Sequence, residues 1–246
     1  NWKMNKLVEE ARGLAGDVAD ASDELDAVEL IIAPTFVSIP ACAEVLEGAD
    51  VGLSAQNVHW TDNGAYTGEV SPPMIKEVGC THAIIGHSER RQYFGETDVS
   101  VNRRARAALE HDLTPIICVG ESLAERRGGE TELKIKLQVR AALSEVEAAD
   151  AEEVIIAYEP LWAIGTGESA TPEQAQNAHE TVRGLLANIY DRDVAESIRV
   201  LYGGSVKPHN IDGLIDKPDI DGALIGGASL QSDSFLSIAR TVQAEY

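Results

Sequence analysis

The sequence predicts an α/β fold in which parallel strands alternate with helices and close into a (β/α)8 barrel. Strand-like and helical segments alternate along the whole chain, the strand-like segments are continuously apolar, and the length is 246 residues. Continuous apolar strands are typical of parallel sheets that are covered on both faces. Barrels of this kind typically contain about 250 residues.

Seven short segments rich in β-branched residues are predicted as strands, and five longer segments with apolar residues at helical spacing are predicted as helices. The fourth helix starts at Thr171-Pro172-Glu173-Gln174, which combines a capping box with proline at the first helical position. The predicted strands are 29–33, 51–55, 82–85, 115–119, 154–158, 199–202 and 222–225, and the predicted helices are 6–25, 98–110, 130–146, 172–189 and 232–242.

The first predicted helix has no strand before it, and this affects how the sheet would close. A closed barrel needs eight strands, so the simplest interpretation is a barrel whose first strand would precede Asn1 and is missing from this sequence. An open doubly wound sheet tolerates seven strands and is the alternative. Strand count alone does not decide between them. No Ser-, Gly- or Pro-rich linker divides the chain, so we expect residues 1–246 to form a single domain.

The charge and cysteine content argue against several classes of protein. Acidic residues number 41 against 20 basic ones, which gives a formal net charge of −21. A field of that sign repels nucleic acid and anionic membranes, and no apolar run reaches the roughly 20 residues that span a bilayer. The three cysteines form no metal-spaced cluster, and no signal peptide is recognised. We therefore expect a cytoplasmic protein in which any anionic substrate needs a locally positive site.

In a barrel the chemistry lies where strands end, and two predicted strand ends carry titratable side chains. His87 follows the strand 82–85, where the start of a helix would favour its neutral ring. Glu159 follows the strand 154–158 and precedes apolar and aromatic residues, as expected of a general base that is shielded from water. Taken alone, a histidine in such a position is more often structural than catalytic.

The last two predicted strands end in glycine pairs, Gly203-Gly204 and Gly226-Gly227. Barrels of this kind bind phosphate there, through backbone N–H groups at the start of a helix. Lys3 would add a positive charge at the same rim if Asn1 ends a strand. Each signal is weak alone, because most glycine pairs form turns and most lysines are solvated.

A further glycine motif, Gly165-Thr166-Gly167-Glu168-Ser169-Ala170, matches the pattern of dinucleotide-binding sites. That motif requires its glycines to follow the strand directly and to open the helix. Here the segment 159–164 intervenes, so we reject a nucleotide site.

Several separate motifs occur together and in order along the chain. They are residues 1–5, 56–57, 64–69, 85–91, 157–167, 202–206 and 225–230. With these motifs the chain closely resembles the triosephosphate isomerase family from end to end. The resemblance implies a TIM barrel that interconverts dihydroxyacetone phosphate and D-glyceraldehyde 3-phosphate through an enediolate, in glycolysis and gluconeogenesis. It also implies that no cofactor and no metal are needed.

The resemblance further implies roles for individual residues. Glu159 would be the base that moves a proton between two carbons, and His87 the neutral electrophile that hydrogen-bonds the enediolate oxygens. Lys3 would stabilise the negative charge that develops on those oxygens. The segment 160–167 would be a lid that protects the enediolate.

Substrate binding and assembly are implied in the same way. The loop around Thr67 would reach into the partner subunit of a homodimer, so an isolated monomer would be weakly active. The residues that would bind the substrate, its phosphate mainly through backbone amides, are Asn1, Lys3, Gly165, Ser205, Gly226 and Gly227.

Two other functions are weighed against this one. The first is a phosphate-binding barrel that has lost isomerase activity and serves as an interaction module; the intact set of Lys3, His87 and Glu159 disfavours it. The second is a different barrel enzyme that acts on a phosphorylated metabolite. The lid sequence and the histidine at the rim disfavour that alternative, since a phosphate site alone requires neither.

Overall fold

The computed structural model describes residues 1–164 and 169–245 of the chain. In this part of the chain, seven strands form one parallel sheet whose spatial order follows the chain order. A doubly wound sheet reverses its order at a switch point, so the uninterrupted order identifies the barrel arrangement. The strands are β1 (Leu30–Ile32), β2 (Val51–Ala55), β3 (His82–Ile85), β4 (Thr114–Val119), β5 (Ile155–Tyr158), β6 (Arg199–Tyr202) and β7 (Gly222–Ala223).

The two outer strands of the sheet come together at one short segment. The backbone nitrogen of Asn1 donates to Ile225 O, just beyond β7, at 2.9 Å. The next amide, that of Trp2, donates to Ala33 O, just beyond β1, at 3.0 Å. The sheet is therefore curled into a cylinder, and the α/β barrel predicted from the sequence is confirmed.

Helices follow the strands, as in right-handed βα units. The five helices predicted from periodicity are present, and Thr171 and Gln174 form the predicted capping box. Periodicity does not predict the seven shorter helices, because pieces of four to seven residues make too few turns to show it. The helices are α1 (Val8–Ser22), α2 (Ile39–Val45), α3 (Pro72–Glu77), α4 (Ser88–Phe94), α5 (Asp98–Leu109), α6 (Leu123–Arg127), α7 (Thr131–Ala142), α8 (Ala148–Ala151), α9 (Pro172–Ile189), α10 (Arg192–Ser197), α11 (Ile211–Ile215) and α12 (Ser232–Gln243).

Alternate side chains of the strands form two separate hydrophobic clusters. The smaller cluster lies inside the cylinder and includes Ile84 and Ile116. The larger one fills the layer between the sheet and the helices and includes Ile85 and Ile117. Neighbouring residues of a strand point to opposite faces, and both faces are buried here. This explains why the strands read as continuous apolar segments in the sequence.

The three cysteines, Cys42, Cys80 and Cys118, are buried and free of disulfides. Burial raises the pKa of the Cys42 thiol to about 11. Such thiols stay protonated and behave as small apolar side chains. None of the described helices is both long enough and apolar enough to cross a lipid bilayer.

A small ionic cluster joins three strands at the amino-terminal end of the barrel. Glu29 Oε1, just before β1, lies 3.4 Å from His82 Nε2 of β3, and the same carboxylate pairs with the Arg199 guanidinium of β6. The hydrogen bond with the His82 ring, helped by Arg199 and opposed by burial, lowers the pKa of Glu29 from 4.5 to about 2. The cluster therefore favours the ionised carboxylate in the folded state.

This shift makes the stability contributed by Glu29 depend on pH. The contribution is fully present above the unfolded pKa of 4.5 and is lost as the pH falls through about 2. We expect Glu29→Gln to lower the free energy of unfolding at neutral pH by about 1 kcal/mol, the upper range for an ion pair that is partly open to solvent. Urea unfolding should show this difference shrinking between about pH 5 and about pH 3. A difference that stays constant over this range would contradict the assignment.

Candidate active site

The end of β3 places a histidine at the start of a helix. His87 is the capping residue of α4, and the backbone N–H of Glu89 donates to its Nδ1 at 3.2 Å. A ring nitrogen that accepts a hydrogen bond carries no proton, so this contact favours the neutral ring with its proton on Nε2. The Glu89 carboxylate lies farther from Nδ1, at 3.7 Å, and is engaged by Lys3. The side chain of His87 can therefore donate a hydrogen bond through Nε2.

The end of β5 places a carboxylate beside that ring. Glu159 is only 2% exposed, and its backbone N–H donates to Val119 O at the end of β4, at 2.7 Å. Ser88 donates to the carboxylate twice, from its N–H to Oε2 at 2.9 Å and from its hydroxyl to Oε1 at 3.0 Å. His87 Nε2 lies 3.1 Å from Oε1. Three donors therefore compensate for burying this carboxylate away from water.

A lysine reaches the same region from the segment before α1. Lys3 has a left-handed backbone with a φ of 53°, a conformation that is costly for a residue other than glycine. Gln56 Nε2 donates to Lys3 O at 2.9 Å, and the Lys3 N–H donates to Asn1 Oδ1 at 3.0 Å. The ammonium nitrogen donates to Glu89 Oε1 at 2.6 Å. These contacts fix the strained backbone and direct the positive charge toward the rim of the barrel.

The glycine-rich ends of β6 and β7 form the facing wall. A Cβ added to Gly203 would lie 2.9 Å from Glu159 Cγ, so this close approach requires glycine. A Cβ added to Gly226 would lie 3.4 Å from Lys3 Cε. The next residues form a 3₁₀ turn, Gly227–Leu230. Because the first amides of a helical turn have no partner within it, they are available to an anion.

One cavity of about 660 Å³ joins these groups, which is within the range of small-ligand sites. Lys207, which the sequence does not single out, adds a second cation to its lining. Of the candidate residues, Gly165 lies outside the described part of the chain. The others all line this cavity: Asn1, Lys3, His87, Glu159, Ser205, Gly226 and Gly227.

A second buried carboxylate anchors the segment that follows Glu159. Glu121 is fully buried and accepts hydrogen bonds from Tyr158 Oη at 3.1 Å and from Trp162 Nε1 at 3.0 Å. Its backbone oxygen accepts from the Leu161 N–H at 3.1 Å. The beginning of the predicted lid is thus tied to the turn after β4. Residues 165–167 of that lid lie outside the described residues.

Known proteins of similar sequence match this chain over almost its full length. A family model described as triosephosphate isomerase matches residues 1–242. A triosephosphate isomerase from Chloroflexus aurantiacus is 54% identical over 238 residues, which are 97% of this chain and 95% of that protein. The chain belongs to the triosephosphate isomerase family.

Further triosephosphate isomerases show the same degree of similarity. The protein from Trichlorobacter lovleyi is 49% identical over 240 residues, which are 98% of this chain and 96% of that protein. The protein from Carboxydothermus hydrogenoformans is 48% identical over 240 residues, with the same two coverages. As a member of the triosephosphate isomerase family, the chain is an isomerase.

Three polar side chains support this candidate site although they are not among the residues predicted from the sequence. They are Gln56, which fixes Lys3, Ser88, which holds the Glu159 carboxylate, and Glu121, which anchors the following segment. Each lies within three residues of a strand end. Position just beyond a strand is therefore the signal that could have identified them.

Proposed function

We propose that this cavity interconverts dihydroxyacetone phosphate and D-glyceraldehyde 3-phosphate by moving one proton between adjacent carbons through an enediolate. The main support is the Glu159 carboxylate, buried and 3.1 Å from His87 Nε2, in a cavity that Lys3 also lines. A base, a neutral hydrogen-bond donor and a cation around one small cavity are what proton abstraction beside a carbonyl group requires.

In this mechanism Glu159 carries the proton. Its carboxylate removes the proton from C1 of the ketone, the C–H electrons form the C1–C2 double bond, and the carbonyl oxygen becomes negatively charged. The hydroxyl proton on O1 then passes to O2, which moves the negative charge to O1. Glu159 returns its proton to C2, where the double-bond electrons form the new C–H bond, and O1 forms the C=O bond of the aldehyde. In the structure Ser88 donates a hydrogen bond to each oxygen of the Glu159 carboxylate. Substrate binding therefore has to release Glu159 from Ser88.

His87 and Lys3 act on the substrate oxygens. Through its Nε2–H, His87 donates to the enediolate oxygens, and as a neutral ring it does so without first taking up a proton. Lys3 places its ammonium group where their negative charge develops, so its interaction is stronger in the transition state than in the ground state. The ion pair with Glu89 supports the placement of the ammonium group.

We assign phosphate binding to the glycine-rich wall. The amides of Gly165, Ser205, Gly226 and Gly227 would hold the phosphate, and Asn1 would help to fix the substrate. The closeness of Gly226 to Lys3 Cε supports this arrangement, because phosphate and reacting carbons would then lie within one cavity. Backbone amides suit a chain with a net charge of −21, since they bind an anion without needing many lysines.

A coupled assay tests this function directly. Purified protein is given D-glyceraldehyde 3-phosphate, and the dihydroxyacetone phosphate formed is followed through its enzymatic reduction. Rapid turnover is the expected result. Retained binding of a phosphate analogue without any turnover would instead indicate a phosphate-binding module.

We also propose that the chain forms a homodimer through the loop around Thr67. Residues 62–69 are all exposed, whereas the base of the loop is held by the bond from His59 N–H to Val70 O at 2.8 Å. The His59 ring also packs against Trp60 and Tyr66, with ring centroids 4.3 Å apart in each case. A rigid base with a protruding tip is suited to inserting into a second subunit.

The dimer is tested by changing the tip of this loop. We expect Thr67→Arg to convert the dimer to a monomer and to lower kcat by about tenfold or more, because the partner loop no longer orders the residues near Lys3 and His87. Sedimentation velocity and the coupled assay report the two effects. The control is Asn177→Arg on α9, which should remain a fully active dimer. If Thr67→Arg is an active monomer, this assignment fails.

We also propose a cellular location and a domain organisation for the chain. We place the protein in the cytoplasm, which its free buried cysteines support. We also propose that residues 1–246 act as one domain. In support, a single hydrophobic cluster includes side chains from Trp2 to Ala239.

A further inference from the structure

A buried glutamine on α7 bonds to the turn that follows β4. Gln138 is 3% exposed, and its Oε1 accepts a hydrogen bond from the Gly120 N–H at 2.7 Å. Gly120 is itself buried. The contact therefore joins two buried groups, and without it the Gly120 N–H would have to shift to find another acceptor.

The turn that Gln138 holds is in direct contact with Glu159. On one side of Gly120, Val119 O accepts from the Glu159 N–H at 2.7 Å, and on the other side Glu121 O accepts from the Leu161 N–H at 3.1 Å. A Cβ added to Gly120 would lie only 1.8 Å from Glu159 O. Because the two backbones touch, a displacement of this turn would displace Glu159.

The side chains packed around the turn at Gly120 leave enough space for this turn to move. A second cavity of about 660 Å³ lies behind Glu159, and Gly120, Gln138 and Glu159 all contribute to its lining. Space next to the turn means that a directional bond, rather than close packing, has to fix the Gly120 backbone. Gln138 provides that bond from a helix that contributes no residue to the proposed substrate cavity.

We infer that Gln138 is a positioning residue for catalysis: it holds the turn at Gly120, and this turn holds the backbone of Glu159 at the place from which its carboxylate reaches the substrate. The inference rests on the proposed role of Glu159 as the base. A displacement of about 1 Å in a reacting group costs up to about 10²-fold in rate. The effect should therefore appear in kcat, with little change in KM, since Gln138 does not line the cavity that would bind phosphate.

The test compares variants that keep or remove the acceptor. Gln138→Met has a similar shape but no acceptor oxygen, and we expect its kcat to fall by about 10- to 100-fold with KM almost unchanged. Gln138→Glu keeps an oxygen that accepts from the Gly120 N–H, and we expect its kcat to stay within about threefold of wild type. Gln138→Ala is a second acceptor-free variant, used if the methionine variant does not fold.

A control on a neighbouring helix separates positioning from general destabilisation. Asn102 of α5 makes comparable bonds, from Nδ2 to Ala142 O at 2.9 Å and to Ser144 O at 2.7 Å, at the far end of α7. Asn102→Leu should lower Tm and leave kcat unchanged. The inference is overturned if the acceptor-free Gln138 variants keep wild-type kcat, or if Gln138→Glu loses as much activity as they do.

The same assay separates this inference from the proposed function. Glu159→Gln is measured beside the Gln138 variants. If Glu159→Gln is inactive while Gln138→Met is as fast as wild type, only the positioning role fails. If Glu159→Gln turns over at the wild-type rate, the proposed function of the site fails as well.

Discussion

Replacing Glu159 by glutamine is expected to lower kcat by about 10²- to 10⁴-fold, the range that a positioned general base contributes. The amide has almost the same shape as the carboxylate and can still accept the hydrogen bond from the Ser88 N–H. It cannot accept a proton from carbon at neutral pH. We therefore expect a phosphate analogue to bind with nearly unchanged affinity, as measured by isothermal titration calorimetry.

The matched control for this change lies at the other end of the same strand. Glu153 is exposed just before β5 and lies away from the cavity. Glu153→Gln therefore makes the same chemical change, and changes the net charge by the same amount, as Glu159→Gln. Its kcat and its affinity for the analogue should both equal the wild-type values. Nearly unchanged turnover in Glu159→Gln would remove this residue from its assigned role, whereas loss of analogue binding would indicate a misfolded site.

Replacing Gly120 by alanine is expected to destabilise the protein and to impair catalysis together. The added methyl group would lie 1.8 Å from Glu159 O, a contact with backbone that no side-chain rotation can relieve. Overpacking of this kind costs about 1–3 kcal/mol and sometimes more, so the urea midpoint should fall clearly. Because the turn and the Glu159 backbone have to separate, we expect kcat in the folded variant to fall by about tenfold or more.

A second glycine serves as the control for this substitution. Gly13 is exposed within α1, and nothing lies within 4 Å of a Cβ added there. Gly13→Ala should therefore stabilise the protein by up to about 1 kcal/mol, because alanine loses less conformational freedom in a helix. Its kcat should not change. Equal effects at positions 13 and 120 would show that the close approach at Gly120 is not rigid.

Regular elements of this fold were predictable because their signals are local. The strand predicted at 82–85 coincides with β3, and the helix predicted at 172–189 coincides with α9. The capping box of α9 lies within four adjacent residues and is therefore visible in the sequence. Both faces of the sheet are buried, so each strand appears in the sequence as a continuous apolar segment. The barrel order could not be predicted from strand count, since it depends on which strands pair.

Part of the candidate site was predictable for a related reason. His87 and Glu159 directly follow strands, and in a barrel that position places side chains at the rim where ligands bind. Lys3 was harder to place, because its direction depends on a left-handed backbone that Gln56, 53 positions away in the chain, supports through a hydrogen bond. A contact between residues so far apart in the chain leaves no recognisable pattern in the sequence around Lys3 or around Gln56.

The sequence by itself determined the alternation of strands and helices, the strand ends that carry His87 and Glu159, and the motifs that resemble triosephosphate isomerase. Only the tertiary structure decided that Ser88 holds Glu159, 71 positions away, and that Gly120 lies against Glu159 O. Propensity, capping and apolar periodicity act between neighbours in the chain, so they are encoded in short segments. Contacts between strand ends depend on how the whole sheet curls, and this becomes fixed only when all the strands have paired.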